Sequence, residues 1–206
     1  MKILEIPNQI IKGKLTPLNL NIVDGIAFHH MAHPTWSVKD VEHCHIYSND
    51  WIAIGYNYWI DFDGNIYKGR GLNVAAGILG HNNHVISIGL QGDFTSQTPT
   101  DKQDKACAEL LEYLKPKLPN LKHIGKHSDY NVTACPGKNF DIEKILFPKE
   151  EEIKPKNIKS VNDIVWELSY RGIITDKTLW LRKLEEDKNA YWLAKNMVDY
   201  LGKAGV

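Results

Sequence analysis

The chain has 206 residues, 43% hydrophobic and 24% charged, with 25 basic and 25 acidic side chains. That length suffices for one well-buried domain and a small second one. The balanced charge leaves no basic field to make nucleic acid or an anionic membrane surface the main partner. Three cysteines, Cys44, Cys107 and Cys135, cannot all pair within the chain, which points to synthesis in a reducing compartment.

The first stretch, "MKILEIPNQIIKGK", is too polar and too broken for the apolar part of a signal peptide. No later run is apolar for the roughly 18 residues that a membrane span needs. The expectation is a chain made in the cytoplasm without stable membrane insertion. To work outside the cell it would be released by a route other than Sec.

"VDGIAFHH" (23–30) reads as a short buried strand. "SVKDVEHCHIYSND" (37–50) reads as a helix, with Ser37 and Asp40 in capping-box spacing. In "GYNYWIDFDGNIYKGR" (55–70) two aromatic and β-branched runs flank Asp63-Gly64, a hairpin signal. "HVISIGLQGDF" (84–94) is a further apolar strand. "TDKQDKACAELLEYLKPKL" (100–118) carries Cys107, Leu110, Leu111 and Leu114 at i, i+3, i+4 and i+7, an amphipathic helix that places Cys107 in the core. Alternating strands and helices up to about residue 146 predict an α/β or α+β layered domain.

Two prolines and a charge cluster in "FPKEEEIKPKNIKS" (147–160) mark a linker. Beyond it the period changes. Ser160 and Asp163 cap a stripe of Val161, Ile164, Val165 and Leu168 that stops at Gly172, and two further short helical segments follow. The domain boundaries read 1–148, a linker at 149–157, and a three-helix unit at 158–206. So small a unit has a marginal core, and self-association is one way to support it.

The chemistry-bearing residues cluster at strand ends and loops. Neighbours on a strand point to opposite faces, so only one of His29 and His30 faces a given pocket. The HxxxH spacing of His29 and His33 would matter on a helix, but the preceding run is strand-like and Pro34 follows. In "GKHSDYNVTACPGKNF" (125–140), His127 and Cys135 stand eight positions apart. With a third ligand these suit zinc, leaving a fourth position for water. A Cys–His nucleophile pair, or a purely structural role, fits the spacing as well.

"IAFHHMAH", "GYNYWIDFDGNIYKGRG", "GHNNHVISIGLQGDF" and "HSDYNVTACPG" occur in the order and at close to the spacing of the N-acetylmuramoyl-L-alanine amidase type 2 family. That family includes bacteriophage endolysins and the animal peptidoglycan recognition proteins. The resemblance covers about residues 20–146. It implies a central mixed β-sheet flanked by helices, and zinc held by His29, His127 and Cys135. It also implies a catalytic Tyr56, with Thr133 at the position two before the Cys. The reaction implied is hydrolysis of the amide between N-acetylmuramic acid and L-alanine in bacterial peptidoglycan. This chain departs from the family pattern before the "SIG" strand, where Gly77 stands at a position often held by His; His81 or Asn82 is the candidate substrate contact there.

A catalytic domain, a charged linker and a small terminal module resemble the build of Gram-positive phage endolysins. On that resemblance residues 158–206 would bind cell wall. Their aromatic residues Trp166, Trp180, Tyr191, Trp192 and Tyr200 stand at helical spacing and are expected in a core before a sugar site. In the catalytic part Trp36, Trp51 and Trp59 are candidates for a groove wall, with Trp59 expected in the core. The alternatives are a peptidoglycan-binding protein without activity and a cytosolic wall-recycling amidase.

Overall fold

In the computed structural model the described residues are 1–146, 164–165, 168–169, 173–186 and 194. The chain divides into two compact units, Met1–Pro148 and Lys149–Val206.

The first unit is built on one six-stranded sheet. Its strands are β1 (Ile3–Glu5), β2 (Gly25–His30), β3 (Tyr58–Ile60), β4 (Ile66–Lys68), β5 (Val85–Leu90) and β6 (His123–Lys126). They lie in the order β1-β4-β3-β5-β2-β6. The β3–β4 pair is antiparallel and all other pairs are parallel. Both β2 and β5 are buried along their whole length. Central strands covered on two faces read as continuous apolar runs, which is why they were legible in sequence.

The two faces carry different cores. Ile26, Phe28, Ile86, Ile88 and Leu90 pack with Cys107, Leu110, Leu111 and Leu114 of α2 (Asp101–Leu114). Each such fully buried large side chain contributes roughly 1.5–3 kcal/mol. Thr100 opens α2 with a capping box completed by Gln103. On the other face Trp59 and Tyr56 pack with Val38 and Val41 of α1 (Val38–His43). Ser37 caps α1, and Asp40 closes the predicted capping box. The helix then widens into a π turn, Cys44–Ser48. A short α3 (Glu143–Leu146) closes the described part of this unit.

The hairpin turn differs from a two-residue turn. Asp61 N donates to Asn65 O and Gly64 N to Asp61 O. The Asp61 carboxylate accepts from the backbone N–H groups of Asp63 and Asn65. Gly64 has φ 77°, the left-handed conformation the Asp-Gly pair supplies. β1 and β6 carry no strand signal of their own. They are short edge strands that borrow their conformation from β4 and β2.

In the second unit Ile164, Val165, Leu168, Ile174, Leu184 and Ala194 form a core, with Trp180 packed against it. The helix α4 (Lys177–Glu186) starts behind Asp176, whose side chain accepts from Leu179 N. Ile164, Val165 and Leu168 are therefore core residues, as their spacing predicts, and Trp180 is half-buried against them. The linker at 149–157, Val161, Trp166, Gly172, Tyr191, Trp192 and Tyr200 lie outside the described residues. Among the described residues no helix is long and apolar enough to cross a membrane.

Candidate metal centre

His29 is the fifth residue of β2 and lies on the face opposite the α2 core. It is 1% exposed. His127 opens a 3-10 turn (His127–Asp129) directly after β6, the strand beside β2. Cys135 follows in the same loop, tied back by Ser128 N donating to Cys135 O. The potential ligand atoms of His29, His127 and Cys135 all lie within 4.8 Å of one another. The Cys135 sulfur is 3.8 Å from His29 Nδ1, and the two imidazole centres are 4.6 Å apart. No other group of three or more His, Cys, Asp or Glu among the described residues comes together in this way.

The pocket holds these groups neutral. Burial, aided by neighbouring His127 and His30, pushes His29 well below the usual histidine range. Burial also lowers His127, and raises the Cys135 thiol to about 11. A nucleophilic cysteine needs the opposite shift. His29 Nε2 is buried without a hydrogen-bond partner. An orphaned buried polar atom costs roughly 1–3 kcal/mol unless a ligand takes it. Two neutral imidazoles and a thiol, one of them with an unclaimed nitrogen, fit a zinc-type ion.

His30 points the other way. Phe94 N donates to His30 Nδ1 at 3.0 Å, and Asp93 Oδ1 lies 3.5 Å from the same nitrogen. Its role is to anchor the loop after β5.

Tyr56 lies beside the centre, its ring 5.3 Å from that of His29. The cause is Gly89, which pairs with both His29 and Trp59 across the sheet. A Cβ at Gly89 would meet the Trp59 and Tyr56 rings at 2.7 Å. The missing side chain lets the phenol lie on β5 next to His29. Burial, then the neighbouring Cys135, raises the Tyr56 pKa, so its hydroxyl keeps its proton. Thr133 Oγ1 accepts from Cys135 N at 3.2 Å, which leaves the hydroxyl hydrogen for an outside acceptor.

Several supporting residues carried no sequence signal. Asn131 Oδ1 is 3.3 Å from His127 Nε2, and Asn131 Nδ2 donates to Leu79 O. A proton on His127 Nε2 leaves Nδ1 as the ligand nitrogen. Buried Asn57 donates to Gly71 O and Asn73 O and accepts from Ser87 N. Buried Arg70 donates to Ala53 O, Ile54 O and Val74 O, and its backbone N–H to Tyr56 O. Together they fix the backbone that carries Tyr56. A polar residue inside the aromatic run "YNYW" was the one available hint.

His81 and Asn82 have local partners. Asn82 Oδ1 accepts from Ile78 N, and His81 pairs with His84. Gly77 begins this loop, and a Cβ there would meet Ser87 Oγ at 2.6 Å and His29 Cε1 at 3.5 Å. A side chain at that position has no room here. Trp59 is fully buried, and Trp36 packs against the α1-side core.

A sequence profile of the N-acetylmuramoyl-L-alanine amidase family matches residues 19–138, and the chain belongs to that family. Among solved structures it is similar to the endolysin N-acetylmuramoyl-L-alanine amidase LysCS from Clostridium intestinale URNW. That match has 29% identity and a TM-score of 0.63, over 70% of this chain and 92% of that one. It is also similar to peptidoglycan recognition protein-LE in complex with tracheal cytotoxin, a monomeric diaminopimelic acid-type peptidoglycan, at 27% identity and a TM-score of 0.59. Coverage there is 72% of this chain and 93% of that one. Peptidoglycan-recognition protein SC2 of Drosophila simulans is 33% identical over 106 residues, 50% of this chain and 58% of the relative. The chain thus spans little more than half the length of that relative.

Proposed function

We propose that this chain is a zinc-dependent amidase that cuts the bond between the lactyl group of N-acetylmuramic acid and L-alanine in bacterial peptidoglycan. The observation that carries the reading is the convergence of His29, His127 and Cys135, with a buried unclaimed nitrogen on His29 and a protonated phenol alongside. Zinc held by these three would act as a Lewis acid and bring the pKa of a water in the fourth position down toward about 7.

The chain's own residues do the rest. Asn131 holds His127 in one tautomer and orientation. Tyr56 offers a hydroxyl that stays protonated and can donate to the oxygen that gains charge as the amide carbonyl is attacked. Thr133 offers a second donor from the loop that carries Cys135. The rim loop 77–84, shaped by His81 and Asn82, is the neighbouring wall for the peptide or sugar.

The similarity to a Clostridium endolysin supports a role in lysing a host wall from within, with residues 158–206 as a wall-binding module. The similarity to a recognition protein in complex with a peptidoglycan fragment supports a second reading, binding without cleavage. Mass analysis of purified peptidoglycan after incubation separates the two. The amidase reading expects free stem peptides beginning with L-alanine and intact glycan chains. An unchanged wall would leave binding alone, and cleavage at another bond would refute the proposed specificity.

A further inference from the structure

Outside the centre described above, one other pair of imidazoles is held in ligand geometry. His81 Nδ1 and His84 Nε2 are 3.2 Å apart, and the ring centres are 5.2 Å apart at 56°. Two imidazole nitrogens bound to one tetrahedral ion at roughly 2.0–2.1 Å lie about 3.3 Å apart, with ring centres about 5.2 Å apart. Both values match.

The second nitrogen of His84 is already committed. His84 Nδ1 is 2.8 Å from Asp24 Oδ1. A proton on Nδ1, held by that carboxylate, leaves Nε2 as a lone pair aimed at His81. A carboxylate behind a ligating histidine fixes the tautomer and raises the ligand's basicity. The backbone fixes both residues as well: His84 N and Val85 N donate to His81 O, and Asp24 N and Gly25 N donate to His84 O. The Tyr130 ring stands edge-on to His81 at 5.3 Å. Little conformational freedom is left to lose on binding. His84 is partly exposed, with 30% of its side chain accessible, so water can fill the remaining coordination positions.

We propose that His81 and His84, backed by Asp24, form a second, peripheral site for a borderline transition-metal ion, zinc in the first instance. In the bound form His81 carries its proton on Nε2 and gives Nδ1 to the ion, so the metal takes the place of the hydrogen bond between the rings. With only two protein ligands and open positions, the site is weaker than the buried one. It would clamp the two ends of the 81–84 turn, which Asp24 already ties to the start of β2. Leu79, just before that turn, accepts from Asn131, the residue that contacts His127.

The test is metal content after equilibrium dialysis at micromolar free zinc, by elemental analysis, for the full chain and for His81→Gln and His84→Gln. The expected result is one zinc per chain fewer in each variant than in the unaltered protein, and retention of this ion in Cys135→Ser. Equal zinc content in the unaltered chain and in folded His81→Gln would overturn the proposal. His81→Gln leaves the Asp24–His84 pair untouched, so it decides the matter if His84→Gln fails to fold. The readout is a difference between variants and needs no amide hydrolysis, so it stands or falls separately from the proposed function.

Discussion

At the scale of single residues, Tyr56 is the most informative position after the three candidate ligands. Removing its hydroxyl alone, in Tyr56→Phe, keeps the ring that packs on Gly89 and Trp59. If the hydroxyl donates to the developing oxyanion, kcat falls roughly 10²- to 10³-fold with zinc content unchanged. Steady-state kinetics with parallel metal analysis checks this. A smaller fall would make Tyr56 a packing residue. His45 gives a second test. Gly55 N donates to His45 Nδ1, which requires that nitrogen unprotonated. Burial, with Arg70 nearby, lowers its pKa from 6.5 to about 4. The neutral form is thus favoured by folding. Stability from this group is complete above about pH 6.5 and is lost as the pH falls toward 4, by about 3 kcal/mol. Denaturant titrations at several pH values should show a shallower loss for His45→Asn, which keeps an acceptor for Gly55 and does not titrate. Equal slopes would contradict the assignment.

Sequence reasoning at this scale reached as far as chemistry and alternation allow. Strand geometry said that only one of His29 and His30 can face a pocket, and the family resemblance picked His29. In the structure His30 is taken up by Phe94 and Asp93. Asn131 was out of reach. Its contact with His127 depends on a 3-10 turn whose shape no periodicity encodes.

At the scale of elements, long apolar runs and capping boxes were readable, because local sequence alone determines them. β2, β5, α1 and α2 all fall where expected. β1, β6 and the π turn at Cys44–Ser48 did not show, since each depends on a neighbour. Asn49 N donates to Cys44 O, a five-residue step that helical spacing does not signal. The strand β5 also carries a constraint that hydrophobicity misses, a glycine where two aromatic rings meet it. Gly89→Ala should destabilise the protein by about 1–3 kcal/mol through overpacking. It should also displace Tyr56 and so lower activity more than stability. Thermal unfolding and activity on the same preparation test this. An unchanged melting temperature would mean that the rings move aside freely.

At the scale of the whole molecule, the chain separates into Met1–Pro148 and Lys149–Val206. In the sequence the change of period and the proline-charge run lie near residue 150. A core of Ile164, Val165, Leu168, Ile174, Leu184 and Ala194 is small for an independent unit. A tethered wall-binding unit would raise the local concentration of catalytic domain at its substrate without adding an active-site contact. Residues 158–206 fused to a fluorescent protein should then decorate host cell walls. A clean absence of binding would favour a packing or self-association role instead.

The account as a whole rests on an ion gripped by His29, His127 and Cys135, and one measurement addresses that claim directly. The rate of stem-peptide release from purified peptidoglycan is followed before chelation, after exhaustive removal of metal, and after zinc is returned. The account predicts that release stops on chelation and recovers with zinc. Release that continues at its original rate from protein shown to be metal-free would contradict it.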